Sequence, residues 1–427
     1  MAVIGLLETP DQERHGDGAV HGEHRSCQDR ALRGNGDRED QSERSEEETD
    51  RDEPVVLAAI LSIDVLERKR REEDQHVSGE RVLGEIQESE QCRHDPSRPD
   101  HAHSVIAISR TVKVERRSKN SAKIATVIDV AVLGRVGIDL YPNQLRTPLR
   151  EVRTYTRFVG GFAGNVATGL ARLGLKPAIV SRVGPDPHGE FVRDFLSGEG
   201  VDVRFLAVDE RLMTPPTFCE VWPPDRFPIT FYRYPTAPDW QLAPEDFDAA
   251  EVAAAPFLLA TGTGLAQSPS RETTLAALSA HAGTTIFDLD WRPTLWERAE
   301  EYGELARKAA GNADIVIGNE EEVEAAAGDA HTLLELGVRA LVLKRGERGV
   351  LLFHEGHEVD VPGHPVDVVN GLGAGDAFVA AFVQSLQAQL PLEEAARRGS
   401  VAGAMVAAQL ACSEAMPTLE ELEAELA

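Results

Sequence analysis

A glycine-rich segment that carries one carboxylate, NGLGAGDAF at residues 370–378, directly precedes an apolar helical pattern. Glycine permits positive φ and lets peptide N–H groups approach a ligand with no Cβ in the way. At the start of a helix, such N–H groups and the helix dipole form a binding site for an anion. Gly373, Ala374 and Gly375 are therefore predicted to donate N–H groups to an anion, with Asp376 beside them.

The carboxylate of Asp376 has two interpretations. As an N-cap it would only satisfy free N–H groups of the helix, which is a common role of aspartate. As a general base it would accept the proton of a hydroxyl that attacks phosphorus, and the helix start favours the ionised form that a base needs. Local sequence chemistry leaves the two interpretations even.

Strand and helix patterns alternate along the chain from about residue 128. The Val- and Ile-rich run at 128–140 predicts a first buried strand, and residues 160–175 predict a helix that stops near Gly174. The alternation continues to about residue 353. It predicts an α/β fold of βαβ units, in which helices cover both faces of a mostly parallel sheet.

Two segments, about 138–160 and 217–235, interrupt this alternation. Each contains short strand patterns with proline-rich turns, and neither is long enough to bury a core of its own. They are predicted to form a small β lid over the site, in preference to an independent second domain.

Residues 1–125 differ in composition from the rest of the chain. All 14 Phe, 4 Trp and 5 Tyr lie after residue 140, so this segment lacks the side chains that contribute most to core burial. Long runs of mixed charge predict disorder. An upstream stretch read from a wrong start site would have the same composition, so both interpretations stay open. The folded domain is predicted to span 126–427.

Charge and cysteine usage exclude several classes of function. Residues 124–427 carry 24 basic and 44 acidic residues, which argues against nucleic acid and anionic membrane as partners. The four cysteines show no C-x-x-C spacing, and no metal-ligand pattern is found. The start, MAVIGLLETP, lacks a basic leader, and the apolar run PVVLAAILSI has half of the about 20 residues that span a bilayer. We therefore predict a cytoplasmic protein.

The segments VGGFAGNVATGLARLG at 159–174 and GAGDAF at 373–378 resemble the two signatures of the ribokinase (PfkB) family of sugar kinases. The resemblance covers about 128–427. It implies a ribokinase-like three-layer α/β/α core with a small β lid, and transfer of phosphate from ATP, with Mg²⁺, to a primary hydroxyl. Asp376 then matches the catalytic base, and residues 373–375 match the anion hole.

On the nucleotide side, GNEEE resembles the family's Asn-x-x-Glu element, so Asn319 and Glu322 are implied to organise Mg²⁺ and phosphates, largely through water. Their alternative is an N-cap followed by acidic first-turn residues. The segment LKRGERG resembles the strand and turn beside the nucleotide, which implies that Lys344 reaches a phosphate and Gly346 lies against ATP. The alternative for Lys344 is a solvated charge.

On the sugar side, Asp139 matches the family aspartate that hydrogen-bonds substrate hydroxyls, and Gly160, Gly161 and Asn165 match the substrate-side signature. Without the resemblance, Asn165 would be a polar residue at a helix start and the glycines a turn. In this family the lid often pairs with the lid of a second copy, which leaves a homodimer open.

Four further segments, GTGLAQSPSRE, DLDWRPTLW, PPDRFPITFYR and CSEAMPT, resemble one branch of the family, the 5-dehydro-2-deoxygluconokinases of inositol catabolism. The implied substrate is a sugar acid, whose carboxylate an arginine can bind with two parallel hydrogen bonds. Arg233 and Arg292 are the candidates. Residues 370–372 depart from the Asp-Thr-Thr of many family members, so activation by K⁺ stays open.

Three alternatives remain at the level of sequence. The nearest is a kinase of the same fold that acts on fructose, ribose or 2-keto-3-deoxygluconate. A nicotinamide dehydrogenase would share the α/β alternation, but the first strand runs into VLGRVGID and not into G-x-G-x-x-G. A non-catalytic sugar-acid sensor is disfavoured because Asp376 is intact.

Overall fold

The computed structural model describes residues 127–427, and the predicted character of residues 1–125 lies outside that range. Within it the strands, in chain order, are β1 (Val130–Leu133), β2 (Gly137–Pro142), β3 (Tyr155–Gly160), β4 (Pro177–Val183), β5 (Leu206–Val208), β6 (Pro216–Cys219), β7 (Ile229–Phe231), β8 (Phe257–Thr261), β9 (Thr284–Asp288), β10 (Ile315–Asn319), β11 (Ala340–Lys344), β12 (Val350–His354) and β13 (His357–Val361). The α-helices are α1 (Phe162–Arg172), α2 (Pro187–Gly198), α3 (Ala249–Ala253), α4 (Ser270–Ala280), α5 (Ala299–Ala310), α6 (Glu320–Ala327), α7 (Ala330–Leu334), α8 (Ala374–Gln387), α9 (Leu392–Ala407) and α10 (Leu419–Leu426).

The central sheet has nine strands in the order β13-β12-β11-β10-β9-β8-β1-β4-β5. From β11 to β5 every neighbouring pair is parallel, whereas β12 is antiparallel to both of its neighbours. The run at 339–353 accordingly contains two strands joined by a tight turn. The predicted mostly parallel sheet is confirmed.

Helices cover both faces of this sheet, because alternate strand residues point to opposite sides. In β1, Val130 and Val132 pack with residues of α1, α2, α8, α9 and α10. Ala131 and Leu133 of the same strand pack with residues of α3 to α7. The three-layer α/β/α core is therefore confirmed.

The apolar run at 128–140 holds two strands that belong to different sheets, and the prediction of one strand is wrong. Its break falls at Gly134, whose φ of 156° ends β1 three residues before β2 begins. Hydrophobicity alone could not reveal this break, since both strands are buried along almost their whole length.

A second sheet of four strands, which we call the small sheet, has the order β3-β2-β6-β7. The pair β2–β6 is parallel and the other two pairs are antiparallel. These strands lie in the two segments that interrupt the α/β alternation, as predicted. Its inner residues Tyr141, Phe158 and Cys219 pack against Cys412, which follows α9 in the chain.

Among residues 127–427, no helix combines the length and the apolar content that crossing a bilayer requires.

Candidate active site

Polar side chains gather at the carboxyl edge of the central sheet, where ligands of open α/β sheets bind. Thr261, Asp288, Asn319 and Lys344 are the last residues of β8, β9, β10 and β11, four neighbouring strands. Arg135 follows β1, the next strand in the sheet. The parallel order therefore brings these side chains to one edge.

Helix α8 starts at this edge, immediately after the glycine-rich loop at 370–375. Its N-cap is Gly373, which has a left-handed φ of 85° that glycine adopts without strain. Asp376 is the third residue of the helix and not its N-cap, so the capping interpretation does not describe it. The N–H group of Ala374 has only a long contact of 3.4 Å, to the carbonyl of Gly371. The first turn of α8 thus presents N–H groups beside a carboxylate.

A hydrogen bond joins the two signature segments of the sequence. Asn165 of α1 donates its Nδ2–H to Oδ2 of Asp376, at 2.7 Å. One turn further along both helices, a Cβ on Gly169 would stand 2.8 Å from Cβ of Ala380. Glycine at 169 therefore permits the close crossing of α1 and α8 that holds Asn165 against Asp376.

The surroundings of Asp376 raise its pKa to about 7. Burial contributes most, and the negative charges of Asp290 and Asp288 add to it. The Asn165 hydrogen bond and the charge of Arg292 act in the opposite direction. A carboxylate with this pKa can accept a proton at neutral pH and is a stronger base than an ordinary aspartate.

Lys344 lies under the first turn of α8. Its Nζ forms an ion pair with Asp288 at 3.1 Å and stands 3.4 Å from the position that a Cβ of Gly375 would occupy. Burial favours the neutral amine, but Asp288 and Glu322 outweigh it and raise the pKa of Lys344 above its usual range. The ammonium is therefore charged, half-buried and ion-paired, which does not fit a freely solvated lysine, while contact with a phosphate stays a prediction.

Asn319 and Glu322 form a reciprocal capping box at the start of α6. The Glu322 N–H donates to Oδ1 of Asn319 at 2.9 Å, and the Asn319 N–H donates to Oε2 of Glu322 at 2.8 Å. The capping alternative is therefore observed, while a role toward Mg²⁺ and phosphates stays a prediction. Burial and Asp288 raise the pKa of Glu322 to about 7, against the pull of Lys344. Gly346 has a φ of 60°, and no atom of the described range 127–427 approaches within 4 Å of the position where its Cβ would stand.

Asp139 of β2 lies on the inner side of the small sheet, with only 8% of its surface exposed. A Cβ on Gly160 would stand 2.1 Å from its carboxyl carbon, so only glycine fits there. Gly161, the N-cap of α1, has a φ of 87° and faces the carbonyl of Arg135. Burial raises the pKa of Asp139, although Arg135 and the Tyr141 hydroxyl oppose the shift.

The two arginines that the sequence nominates for a carboxylate both have acidic partners. Arg233 is buried in an ion pair with Asp239, and its guanidinium lies 4.3 Å from the ring centre of Trp240. Arg292 pairs with Asp290 at 2.9 Å. The structure thus brings Arg292 to the edge near Asp376 and places Arg233 beside the small sheet.

A loop of the small sheet, at 220–228, touches the glycine-rich loop. The ring of Phe227 lies 2.8 Å from the position that a Cβ on Gly371 would occupy. Next to it, the buried side chain of Asn370 donates to the carbonyl of Leu410 at 2.8 Å and accepts the N–H of Leu372 at 3.1 Å. In this chain the segment Asn-Gly-Leu therefore shapes the loop and accommodates the small sheet.

Sequence reasoning missed Asp288, Asp290 and Arg135. The first two stand in the segment DLDWRPTLW, and their signal was available, because Asp288 ends a buried parallel strand and Asp290 lies two residues beyond it. Asp290 accepts a hydrogen bond from Thr263 at 2.8 Å and has a φ of 36°. Arg135 has no such signal, since a single arginine after a strand is common.

Within the described residues, no group of three or more His, Cys, Asp or Glu side chains is placed to hold a metal ion. Mg²⁺ usually keeps several waters and binds through one or two carboxylates together with substrate phosphates.

Comparison with known proteins identifies the family. The description "pfkB family carbohydrate kinase" matches residues 127–419. A relative from Shouchella clausii, named 5-dehydro-2-deoxygluconokinase, is 38% identical over 309 residues, which cover 69% of this chain and 94% of the relative. A relative of the same name from Geobacillus kaustophilus is 34% identical and is covered to 92%.

Solved structures share the fold. The fructokinase of Vibrio cholerae O395, bound to fructose, ADP and calcium, has 26% identity and a TM-score of 0.63, over 70% of this chain and 99% of that chain. An uncharacterized sugar kinase of Pyrococcus horikoshii in complex with ATP has 28% identity and a TM-score of 0.60, over 68% and 96%. The chain is therefore a phosphotransferase that belongs to the PfkB family of carbohydrate kinases.

Proposed function

We propose that this chain transfers the γ-phosphoryl group of ATP to the 6-hydroxyl of 5-dehydro-2-deoxy-D-gluconate. The names of the two relatives support this substrate, as do the four segments that resemble the same branch. The place of the enzyme is then the catabolism of inositol. ATP as the donor is supported by the nucleotides bound to the two solved relatives.

The observation that carries the proposal is the contact between Asn165 and Asp376 at the start of α8, next to Lys344. A proton acceptor, a helix terminus and a half-buried cation meet there, and phosphoryl transfer to an alcohol uses all three. The acceptor takes the proton, and the positive groups stabilise the charge on the transferring phosphoryl group.

In the proposed reaction, Asp376 accepts the proton of the 6-hydroxyl while that oxygen attacks the γ-phosphorus and the bond to ADP breaks. Asn165 holds the carboxylate in position, and the N–H groups of 373–375 with Lys344 and Arg292 meet the phosphoryl charge. Asp139, Gly160 and Gly161 bind the sugar hydroxyls. Asn319, Glu322 and Gly346 lie on the nucleotide side, where Mg²⁺ bound to ATP would neutralise phosphate charge.

The substrate is tested by a coupled ADP-release assay on the full chain with a panel of acceptors. We expect kcat/KM to be highest for 5-dehydro-2-deoxy-D-gluconate, and lower for 2-keto-3-deoxygluconate, fructose and ribose. A higher kcat/KM for one of the other acceptors would refute this substrate and leave the family assignment intact.

The catalytic role is tested by Asp376→Asn, which keeps the shape of the side chain but removes the base. We expect kcat to fall by about two to four orders of magnitude, the usual contribution of a positioned base, while ATP binding measured by calorimetry is retained. Asp186→Asn is the matched control, because Asp186 is a buried aspartate that caps α2. Near-normal kcat in Asp376→Asn would contradict the proposal.

A further inference from the structure

We infer that Arg135 binds the carboxylate of the sugar-acid substrate and thereby selects acids over neutral sugars. The inference rests on the proposed function and deepens it, because it names the group that reads the acidic end of the substrate. It assigns that role to a residue other than the two arginines that the sequence nominates.

The other cations near the site already have acidic partners within the protein. Arg233 is paired with Asp239 where both side chains are at least 97% buried, so a second carboxylate would have to displace a buried partner. Arg292 pairs with Asp290 and Lys344 pairs with Asp288. Each of these cations already has an acidic partner, so a substrate carboxylate would have to compete with a carboxylate of the protein for it.

Arg135 is buried and unpaired. Only 9% of its surface is exposed, and among residues 127–427 its guanidinium has no carboxylate within ion-pair distance. Its Nε has no hydrogen-bond partner in that range. A buried guanidinium without a partner is unfavourable, and a bound carboxylate would supply the missing hydrogen bonds.

The backbone on either side of Arg135 is held in place. Its carbonyl accepts the N–H of Ala163, in the first turn of α1, at 3.0 Å, and the N–H of Val136 donates to Oδ2 of Asp239 at 3.0 Å. The guanidinium carbon lies 5.1 Å from the ring centre of Phe231, in β7 of the small sheet. The side chain is therefore directed toward the space between the central sheet and the small sheet, where the sugar is proposed to bind.

The start of α1 connects the groups along the proposed sugar site, because Gly160 lies against the Asp139 carboxylate and Asn165 donates to Asp376. The charge of Arg135 lowers the pKa of both Asp139 and Asp290, although neither carboxylate lies within ion-pair distance of its guanidinium. Asp290 in turn raises the pKa of Asp376. A sugar acid with its carboxylate on Arg135 would pass Asp139 and place its far hydroxyl toward Asp376.

The inference is tested by kinetics of the full chain with two acceptors, 5-dehydro-2-deoxy-D-gluconate and its carboxamide, which has no negative charge. For Arg135→Met we expect kcat/KM for the acid to fall by about 100-fold or more, the scale for loss of one partner of a buried charge pair. The value for the carboxamide should change less than about threefold. Arg135→Lys keeps the charge and should recover part of the loss for the acid.

Arg398→Met is the matched control, since Arg398 is an equally buried arginine on α9 whose ion pair is with Glu423. It should leave the preference for the acid unchanged. Equal losses for acid and carboxamide in Arg135→Met, or an unchanged preference, overturn the inference alone. A wild-type chain that phosphorylates only neutral acceptors overturns the proposed function as well, so the two failures are distinguishable.

Discussion

Asp376 lies beside two ion pairs, Asp288–Lys344 and Asp290–Arg292. Burial raises its pKa most, the two acids raise it further, and Arg292 lowers it, so the protonated form is favoured. The surroundings that raise this pKa therefore make the ionised form of Asp376 destabilising for the folded chain. The proposed role as general base would thus reduce stability, by an amount that depends on pH.

Asp376→Asn is expected to stabilise the chain at alkaline pH. The folded pKa of about 7 exceeds the ordinary value of 3.8, so the stability that Asp376 contributes is lost as pH rises toward and through 7. Asparagine stays neutral. The free energy of unfolding of the variant, relative to that of the wild type, should therefore rise by about 1 to 3 kcal/mol between pH 5 and pH 8 and stay constant above that range. Urea unfolding at several pH values measures it.

Asp186→Asn is the control, because the pKa of Asp186 is shifted in the opposite direction to that of Asp376. Burial of Asp186 is outweighed by hydrogen bonds from the N–H groups of Thr214 and His188, which lower its pKa. Its stabilising effect is already complete at pH 5, so that variant should differ from wild type by a constant amount over the same pH range. A constant difference for Asp376→Asn would show that its pKa is not raised.

Single residues of the candidate site could be nominated from the sequence where a glycine pattern surrounds them, as at Asp376, Asn165 and Gly160. Their contacts could not, because the bond between Asn165 and Asp376 joins positions 211 residues apart. The pairing of Arg233 with Asp239 was equally hidden, although only six residues separate them. Tertiary packing decides which arginine stays unpaired, and no local sequence pattern indicates it.

At the scale of elements, the crossing of α1 and α8 aligns the site. Gly169 meets Ala380 at the crossing, and each lies four residues after a member of the Asn165–Asp376 pair. Helical residues four apart share a face, so the spacing of the two backbones sets the length of that hydrogen bond.

Gly169→Ala is expected to force the two helices apart. The added Cβ would stand 2.8 Å from Cβ of Ala380, and overpacking of this kind costs about 1 to 3 kcal/mol. We expect a lower melting temperature and a lower kcat, because Asn165 no longer holds Asp376.

The control is Gly198→Ala at the end of α2, where no heavy atom of residues 127–427 outside the adjoining helix backbone lies within 4 Å of the added Cβ. That variant should keep both kcat and melting temperature, or gain slightly in stability. An unchanged kcat in Gly169→Ala would show that the spacing of α1 and α8 does not affect catalysis.

The elements themselves were largely predictable, because helices and buried strands leave periodic patterns. Helix α1 and its stop near Gly174 follow the sequence prediction closely, and Gly174 has a φ of 89°. The break at Gly134 was not predictable, because an apolar run cannot show that its two halves join different sheets. The close pairing of β11 with β12 was missed for a similar reason.

At the scale of the whole molecule, residues 127–427 form a sheet with two apolar layers of their own. The family match begins at residue 127, and the relative from Shouchella clausii is covered to 94% by 69% of this chain. The boundary at 126 therefore remains our proposal for the start of the kinase domain.

A chain reduced to residues 126–427 is expected to keep kcat/KM within about twofold, and melting temperature within a few degrees, of the full chain, because the family match begins at residue 127 and the described residues pack two apolar layers on the sheet. Coupled assays and calorimetry on both proteins measure this. Loss of activity or folding in the shorter chain would show that residues 1–125 contribute to the enzyme.

The contact between Phe227 and Gly371 has a consequence for how the two substrates bind. One loop belongs to the small sheet, beside which the sugar is proposed to bind, and the other contains the proposed anion hole, so a shift of either loop would disturb the other. Thermodynamic linkage then requires reciprocity. If a bound sugar acid changes the affinity for the nucleotide by some factor, the bound nucleotide must change the affinity for the sugar acid by the same factor.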